Sequence, residues 1–311
     1  MVTKIIRLNA DSISQTSPSV TLIGNFDGLH KGHARLINKA TELKRILPSS
    51  VTTLISFYPH PLKILRGQKI ELLTPLRKKL EILSDLGLDQ LALIRFSKKF
   101  SELSAPEFLK TYLIEKLNSK SLIIGADTKV GKSREGDANS IKSFLETFGV
   151  SVQIEKFEEV CNIKIGSASI REKILKGEIS ESSQLLGRPF TISGRVVRGD
   201  GRGKQIGTPT ANVWSKNQLL PPNGVYAGMA KLNQKRYPAI TNIGTRPTFG
   251  INDKRVVEVH ILNYTGSGFY KKILEFAPSH FLRSEMRFSS VGELKNQIIK
   301  DIASAKSLLH A

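Results

Sequence analysis

The sequence predicts an α/β domain built on a parallel sheet, followed by a smaller all-β domain. Three observations carry this. Up to about residue 184 apolar strand-like runs alternate with helical stretches, the pattern of parallel strands with helices on both faces. After Gly187 the texture changes to β-rich runs separated by turn-rich segments, as in a small antiparallel barrel or sandwich. A length of 311 residues is also long for one core, so two domains of ordinary size are expected, 1–184 and 185–311.

In chain order, Val20 to Ile23 reads as a buried strand, Ala34 to Leu43 as a helix and Val51 to Phe57 as a β-rich run. Pro75 to Leu86 reads as a helix, Gln90 to Phe96 as a strand, Pro106 to Leu117 as a helix, Ser121 to Gly125 as a strand, Ile141 to Gly149 as a helix and Val150 to Ile154 as a strand. A short helix ends near Gly177, and Leu185 to Pro189 forms the seam between the halves. Beyond it Phe190 to Val197, Gly224 to Leu232, Tyr237 to Ile243, Val256 to Asn263 and Lys272 to Phe276 read as strands, closed by a helix from Val291 to Leu309.

Composition narrows the function classes. An apolar fraction of 40% with 24% charged residues describes a globular protein, and no window approaches the roughly 18 consecutive apolar residues a membrane span requires. The first residues lack the apolar core of a signal peptide, so the expected compartment is the cytoplasm. The single cysteine, Cys161, cannot form an internal disulfide. A formal net charge of +20 attracts polyanions, but the basic residues are dispersed and no nucleic-acid module accompanies them. Small anionic substrates are therefore expected rather than a specific nucleic acid, and the oligomeric state stays open.

The chemistry-bearing stretches of the first half follow its strands. Gly24, Asn25, Phe26, Asp27, Gly28, Leu29, His30, Lys31, Gly32 and His33 come directly after the first buried strand. Gly24 and Gly28 permit a tight backbone path. His30 and His33 then fall at the start of a helix, where the positive dipole end favours an anion; a bare His-x-x-His is also compatible with a plain surface. His60, in Tyr58-Pro59-His60-Pro61, either faces a nucleotide or closes a turn. Asp127, after the strand ending at Gly125, can accept hydrogen bonds from a ribose or an adenine amine, or sit in a solvated turn. Ser167 and Ser169 either cap the next helix or, with Arg171 one turn in, clamp a phosphate.

The second half holds a glycine-rich basic loop, with Gly199, Gly203, Lys204 and Gly207, whose backbone amides can cradle phosphates. Its spacing fits neither the P-loop nor the dinucleotide fingerprint. Thr208 follows at once, and Thr210 and Asn212 then offer uncharged oxygens at alternate positions, suited to a hard divalent cation such as Mg2+ that bridges nucleotide phosphates. Glu258 is a carboxylate inside an apolar strand. It either faces water or, at the barrel mouth, takes a proton from an attacking alcohol.

Gly24 to His33 resembles the signature of the HxGH nucleotidyltransferases, which transfer a nucleotide from ATP with release of pyrophosphate. Nearly the whole chain resembles the bifunctional bacterial riboflavin kinase/FMN adenylyltransferase family, also called FAD synthetases. The resemblance runs through Leu186 to Phe190, Gly194 to Val197, Gly207 to Asn212, Pro221 to Tyr226, Asn242 to Phe249, Val257 to His260 and Leu282 to Phe288. It implies a Rossmann-like amino-terminal nucleotidyltransferase domain and a carboxyl-terminal Greek-key β-barrel kinase domain. By this resemblance Glu258 is the general base, Thr210 and Asn212 hold the cation and ATP phosphates, and Arg283, with Arg188 and His60, lies near flavin. His30, His33 and Arg171 stabilise phosphate charge. Gly24, Phe26, Asp27, Gly28, Gly32, Asp127 and Ser167 line one ATP site and the glycine-rich loop the other. The implied substrates are riboflavin, FMN and ATP, with FMN and FAD as products.

Three positions depart from the family pattern. Thr128 and Val130 stand where the third motif carries aromatic residues, and Ala168 replaces a hydroxyl residue of the fourth. They keep open a riboflavin kinase with a degenerate nucleotidyltransferase domain; from another class, the charge keeps open a basic nucleic-acid-binding protein.

Overall fold

The computed structural model describes residues 2–9, 11–12, 14–156, 159–160, 163–198, 208–215, 217–246, 254–266, 268 and 270–310. They form two compact units, Met1–Ser167 and Ala168–Ala311. Gly199, Gly203, Lys204 and Gly207 of the glycine-rich loop, and Cys161, lie outside the described residues.

In the first unit β1 (Lys4–Leu8), β2 (Ser19–Ile23), β3 (Val51–Tyr58), β4 (Gln90–Arg95), β5 (Ser119–Gly125) and β6 (Ser151–Glu155) form one parallel sheet in the order β1-β4-β3-β2-β5-β6. Both faces are covered. Helices α1 (Lys31–Ile46), α2 (Pro61–Arg66) and α3 (Leu76–Asp85) come before β4; α1 and α3 bury Ile37, Ala40, Ile82 and Leu83 against Val20, Leu22, Leu54 and Leu91. On the other face lie α4 (Lys98–Ser101), the turn α5 (Ala105–Phe108) with its π-helical continuation Leu109–Lys116, and α6 (Ala138–Glu146). There Leu109, Leu113, Ile141 and Leu145 pack on Ile23, Ile55, Ile94 and Ile124. Alternate residues of each strand feed opposite layers, which is why the strands read as continuous apolar runs.

The sheet reverses direction at β2: the chain runs outward through β3 and β4 on one side, then crosses to β5 and β6 on the other. Open α/β sheets bind ligands at such a switch point, beyond the carboxyl ends of the strands. The Gly24–His33 turn leaves the end of β2 there, and Asp127 follows the end of neighbouring β5. The outermost strand β1 was not anticipated, because only Leu8 of its five residues is buried.

After two two-residue strands, β7 (Glu159–Val160) and β8 (Ile163–Lys164), come α7 (Ser167–Lys176) and α8 (Ile179–Leu186). The second unit closes β9 (Ile192–Val197), β10 (Ala211–Trp214), β11 (Gly224–Leu232), β12 (Lys235–Arg246), β13 (Lys254–Ile261) and β14 (Ile273–Arg283) into a six-stranded antiparallel barrel. β11, β12 and β13 are consecutive neighbours and β14 returns beside β11, a Greek key. Helix α9 (Val291–Leu309) covers an outer face through Ala305, packed with Ala227, Ile240 and Leu262. Among the described residues no helix is long and apolar enough to cross a membrane.

Candidate active sites

The Gly24–His33 turn is held by its own side chains. Gly24 takes φ +154°, and a Cβ there would stand 3.0 Å from the Phe26 ring, so glycine is required. Phe26 and Leu29 are themselves left-handed, at φ +46°. Phe26 stacks on His33 with ring centroids 4.2 Å apart, and His33 stacks on His30 at 3.7 Å. This three-ring pile fixes both imidazoles at the start of α1. His30 is 6% exposed and caps the helix, its Nδ1 accepting from the His33 N–H at 3.4 Å. With Nδ1 an acceptor, the proton of neutral His30 sits on Nε2, leaving that atom a donor at the positive end of the helix.

Asp27 and Phe26 both make contacts that hold the turn. The Asp27 carboxylate accepts the backbone N–H groups of Leu73 and Thr74, each at 3.1 Å, tying the turn to the segment that leads into α3. Phe26 is buried against His33. Ser167 donates its hydroxyl to the Asp27 carbonyl at 2.8 Å. These contacts tie the three residues expected to line an ATP site into the frame of the turn. Gly32 keeps close quarters with His30, whose Nδ1 would stand 3.3 Å from a Cβ.

His60 caps α2. Its Nδ1 accepts from the Leu62 N–H at 3.2 Å at the start of α2, and its Nε2 lies 3.2 Å from the Asn25 side-chain amide. The ring thus joins α2 to the Gly24–His33 turn. Asp127 is exposed beyond β5, and Thr128 is partly buried. Val130, at a position where the family motif carries an aromatic residue, is 7% exposed in the core with Phe108 and Tyr112. It bridges to Gly136, and that glycine and Gly131 lie directly against Ala105. Arg171 is partly buried on α7, within the second unit, and Ala168 is exposed.

In the barrel, alternation decides the orientation of Glu258 and its neighbours. Val257 and Val259 are buried, so Glu258 between them projects from the outer face of β13. Asn212 stands between buried Ala211 and Val213 on β10, and Asn242 between buried Thr241 and Ile243 on β12. The register sets Glu258 opposite Asn212 on one side and Asn242 on the other. The carboxylate therefore lies on the outer wall, flanked by two amides, rather than inside the barrel. Thr210 precedes Asn212 by two residues, and the preceding Pro209 carbonyl is met at 2.9 Å by Nδ1 of His260. Thr208 is partly buried at the start of this segment.

Sequence reasoning assigned no role to Asn242 or Glu285. A Cβ on Gly244 would run into the Glu285 carboxylate, so Glu285 lies over β12, on the face and strand that carry Asn242 two residues away. Asn223 donates to Glu285 at 3.0 Å. The signal available was a polar residue in an apolar strand and a glycine two positions on.

Arg283 is committed to Asp301 of α9. Its Nε reaches both carboxylate oxygens, at 3.0 and 3.1 Å, and a second nitrogen makes a 2.9 Å bond. Gln297 adds a bond to the same carboxylate at 2.9 Å. Arg283, expected near flavin, thus forms a fork that joins β14 to α9. Arg188 donates to the Leu186 carbonyl at 3.3 Å, and burial lowers its guanidinium to about 10.

Among the described residues no group of three or more His, Cys, Asp or Glu side chains is placed to hold a metal ion. Asn212 nonetheless carries an amide oxygen on the residue in register with Glu258, and Thr210 offers a hydroxyl two residues before it. A cation there would complete its shell with phosphate oxygens and water, as Mg2+ does.

Comparison with known proteins joins the two units. The FAD synthetase family model matches residues 12–169 and the riboflavin kinase family model residues 186–309. The chain is 37% identical over 294 residues to the bifunctional riboflavin kinase/FMN adenylyltransferase of Buchnera aphidicola subsp. Schizaphis graminum, covering 93% of this chain and 94% of the relative. It is 37% identical over 292 residues to the protein of that description from Escherichia coli K12, covering 92% and 91%. A crystal structure described as a macrolide-efflux protein from Streptococcus pneumoniae shares the fold, with a TM-score of 0.86 and 29% identity over 97% of this chain and 98% of that one. With both family models matched in order and relatives aligned over more than nine-tenths of its length, the chain belongs to the bifunctional riboflavin kinase/FMN adenylyltransferase family.

Proposed function

We infer that the chain is a cytoplasmic enzyme that converts riboflavin to FMN with one ATP and FMN to FAD with a second, releasing pyrophosphate. The observation that carries this reading is the pairing of both family matches with two separately built sites: a histidine pair at a helix start at the sheet's switch point, and a carboxylate between two amides on a barrel wall. We take 1–184 as the adenylyltransferase half and 185–311 as the kinase half.

In the kinase half Glu258 takes the proton of the ribityl 5′-hydroxyl as its oxygen attacks the γ-phosphorus of ATP and ADP leaves. Asn212 and Asn242 stand in register with it on the two neighbouring strands, placed to orient the carboxylate. Thr210 and Asn212 would hold a divalent cation, which neutralises charge on the transferred phosphoryl group. In the other half a phosphate oxygen of FMN attacks the α-phosphorus of ATP, the bond to the β-phosphate bridging oxygen breaks, and pyrophosphate departs. Nε2–H of His30 donates to the phosphate oxygens as negative charge builds on them, and His33, stacked against it, keeps that donor in place. Arg171 comes to the same chemistry through the resemblance alone. No covalent enzyme intermediate is needed, since positioning and electrostatics supply the catalysis.

The test is direct. Purified protein is incubated with ATP, Mg2+ and either riboflavin or FMN, and the flavins are separated by chromatography. FMN from riboflavin and FAD from FMN are expected. FMN without FAD would leave a riboflavin kinase alone, the reading that Thr128, Val130 and Ala168 favour.

A further inference from the structure

Lys79 lies in α3, outside every motif named above, yet its side chain ends on the nucleotidyl turn. Its ammonium donates to the Asn25 carbonyl at 2.5 Å, and Ser56 reaches the same oxygen at 3.4 Å from β3. Asp27, two residues on, supplies the charge that favours the ammonium. Burial opposes it and lowers the lysine to about 8. An apolar side chain would fill this place without that desolvation cost, so the lysine calls for a reason beyond packing.

The geometry of the turn supplies one. Asn25 directly precedes a left-handed Phe26, and its carbonyl has left the sheet ladder at the end of β2. From there the backbone passes through Gly28 at φ +87° and a left-handed Leu29 to His30. Asp27 ties the middle of the turn to Leu73 and Thr74, and Lys79 ties its start to α3. We propose that Lys79 is a positioning residue for adenylyl transfer, clamping the Asn25 carbonyl so that the His30–His33 ring stack presents its donor at one fixed place. Resting on the adenylyltransferase reading, this goes beyond it by assigning a residue of α3 to the transition state's geometry. A displacement of about 1 Å at a catalytic group costs on the order of 100-fold in rate.

The experiment compares wild type with Lys79→Met and Lys79→Arg in the full chain. Lys79→Met is expected to lower kcat for FAD formation from FMN at least tenfold while the KM for ATP stays within threefold. Lys79→Arg should recover at least half of that loss on a logarithmic scale, because it restores a cationic donor. Riboflavin phosphorylation by the same preparations serves as the control for intact protein. Amide hydrogen exchange reads the clamp without turnover: the amides of residues 26–33 should exchange at least tenfold faster in Lys79→Met, with the barrel strands unchanged. An unchanged kcat, a KM for ATP that rises in step with the kcat loss, an arginine variant no better than methionine, or unchanged exchange at 26–33 would each overturn the proposal. Absence of FAD formation by wild type would overturn the adenylyltransferase reading instead, and the exchange measurement would still decide whether Lys79 holds the turn.

Discussion

Glu258 and Asn212 are directly paired across antiparallel strands β13 and β10, with Asn242 paired to Glu258 from the other side on β12. Opposed residues on such strands have Cβ atoms about 5 Å apart, close enough for the amides to orient the carboxylate. Glu258→Gln keeps the shape and removes the base. It is expected to lower riboflavin phosphorylation at least 100-fold, within the range for loss of a general base, while riboflavin affinity by fluorescence titration changes less than threefold. FAD formation from supplied FMN should be unaffected.

His30→Ala removes both a helix cap and the Nε2 donor. Loss of one such donor costs about 100-fold or more in kcat, so FAD formation should fall by that much. Asparagine at the same position keeps a capping oxygen, and His30→Asn should recover stability without rate. Thermal unfolding and flavin chromatography on the two variants separate the roles.

Asp301 receives the Arg283 fork and a bond from Gln297, and both ion-pair partners are largely withdrawn from water. Removing one partner of a buried pair strands the other charge, at a cost of about 3–5 kcal/mol. Asp301→Ala should therefore lower the denaturant midpoint of the carboxyl-terminal unit. Replacing both partners with leucine and methionine should restore much of it.

Lys79 gives a pH signature of defined sign. Its folded value is lowered to about 8 from 10.5. Below pH 8 both folded and unfolded states hold the proton and the folded state bears the full burial penalty. Between 8 and 10.5 the unfolded state binds more protons, so stability rises with pH across that window. The difference in unfolding free energy between wild type and Lys79→Met should shift in favour of wild type from pH 7.5 to 9.5. A flat difference would show that Lys79 does not titrate there.

Val130 tests the departure from the family pattern. It sits in the core with Phe108 and Tyr112, where a larger side chain has to displace packed neighbours. Val130→Phe should destabilise the amino-terminal unit by about 1–3 kcal/mol from overpacking and give no gain in FAD formation.

Much of this architecture was legible in the sequence because periodicity reports burial. β11 and α9 fall on the residues where the apolar pattern begins and ends, and the strands of the parallel sheet announce themselves as continuous apolar runs because both their faces are covered. Elements that bury little stayed hidden: β1 at the sheet edge, the short β10, and the far half of β14, where Pro278 interrupts the strand pattern. The bends of α2 and α8 were missed for a related reason, since eight residues or fewer hold too few turns for a helical period to stand out.

The sequence by itself determined the two-part architecture, the histidine turn and the residue types that suit phosphoryl chemistry, because spacing along one chain fixes local geometry. Tertiary structure decided which partners those polar residues meet. Asp27 meets Leu73 and Thr74, His60 meets Leu62 and Asn25, and Arg283 meets Asp301, while Glu258 gains Asn212 and Asn242 as cross-strand neighbours. A charge or a hydrogen-bonding atom is satisfied by whatever folding brings within about 3 Å, and for these residues the partner is often tens of positions away. Lys79, 54 residues from the carbonyl it clamps, is the sharpest case.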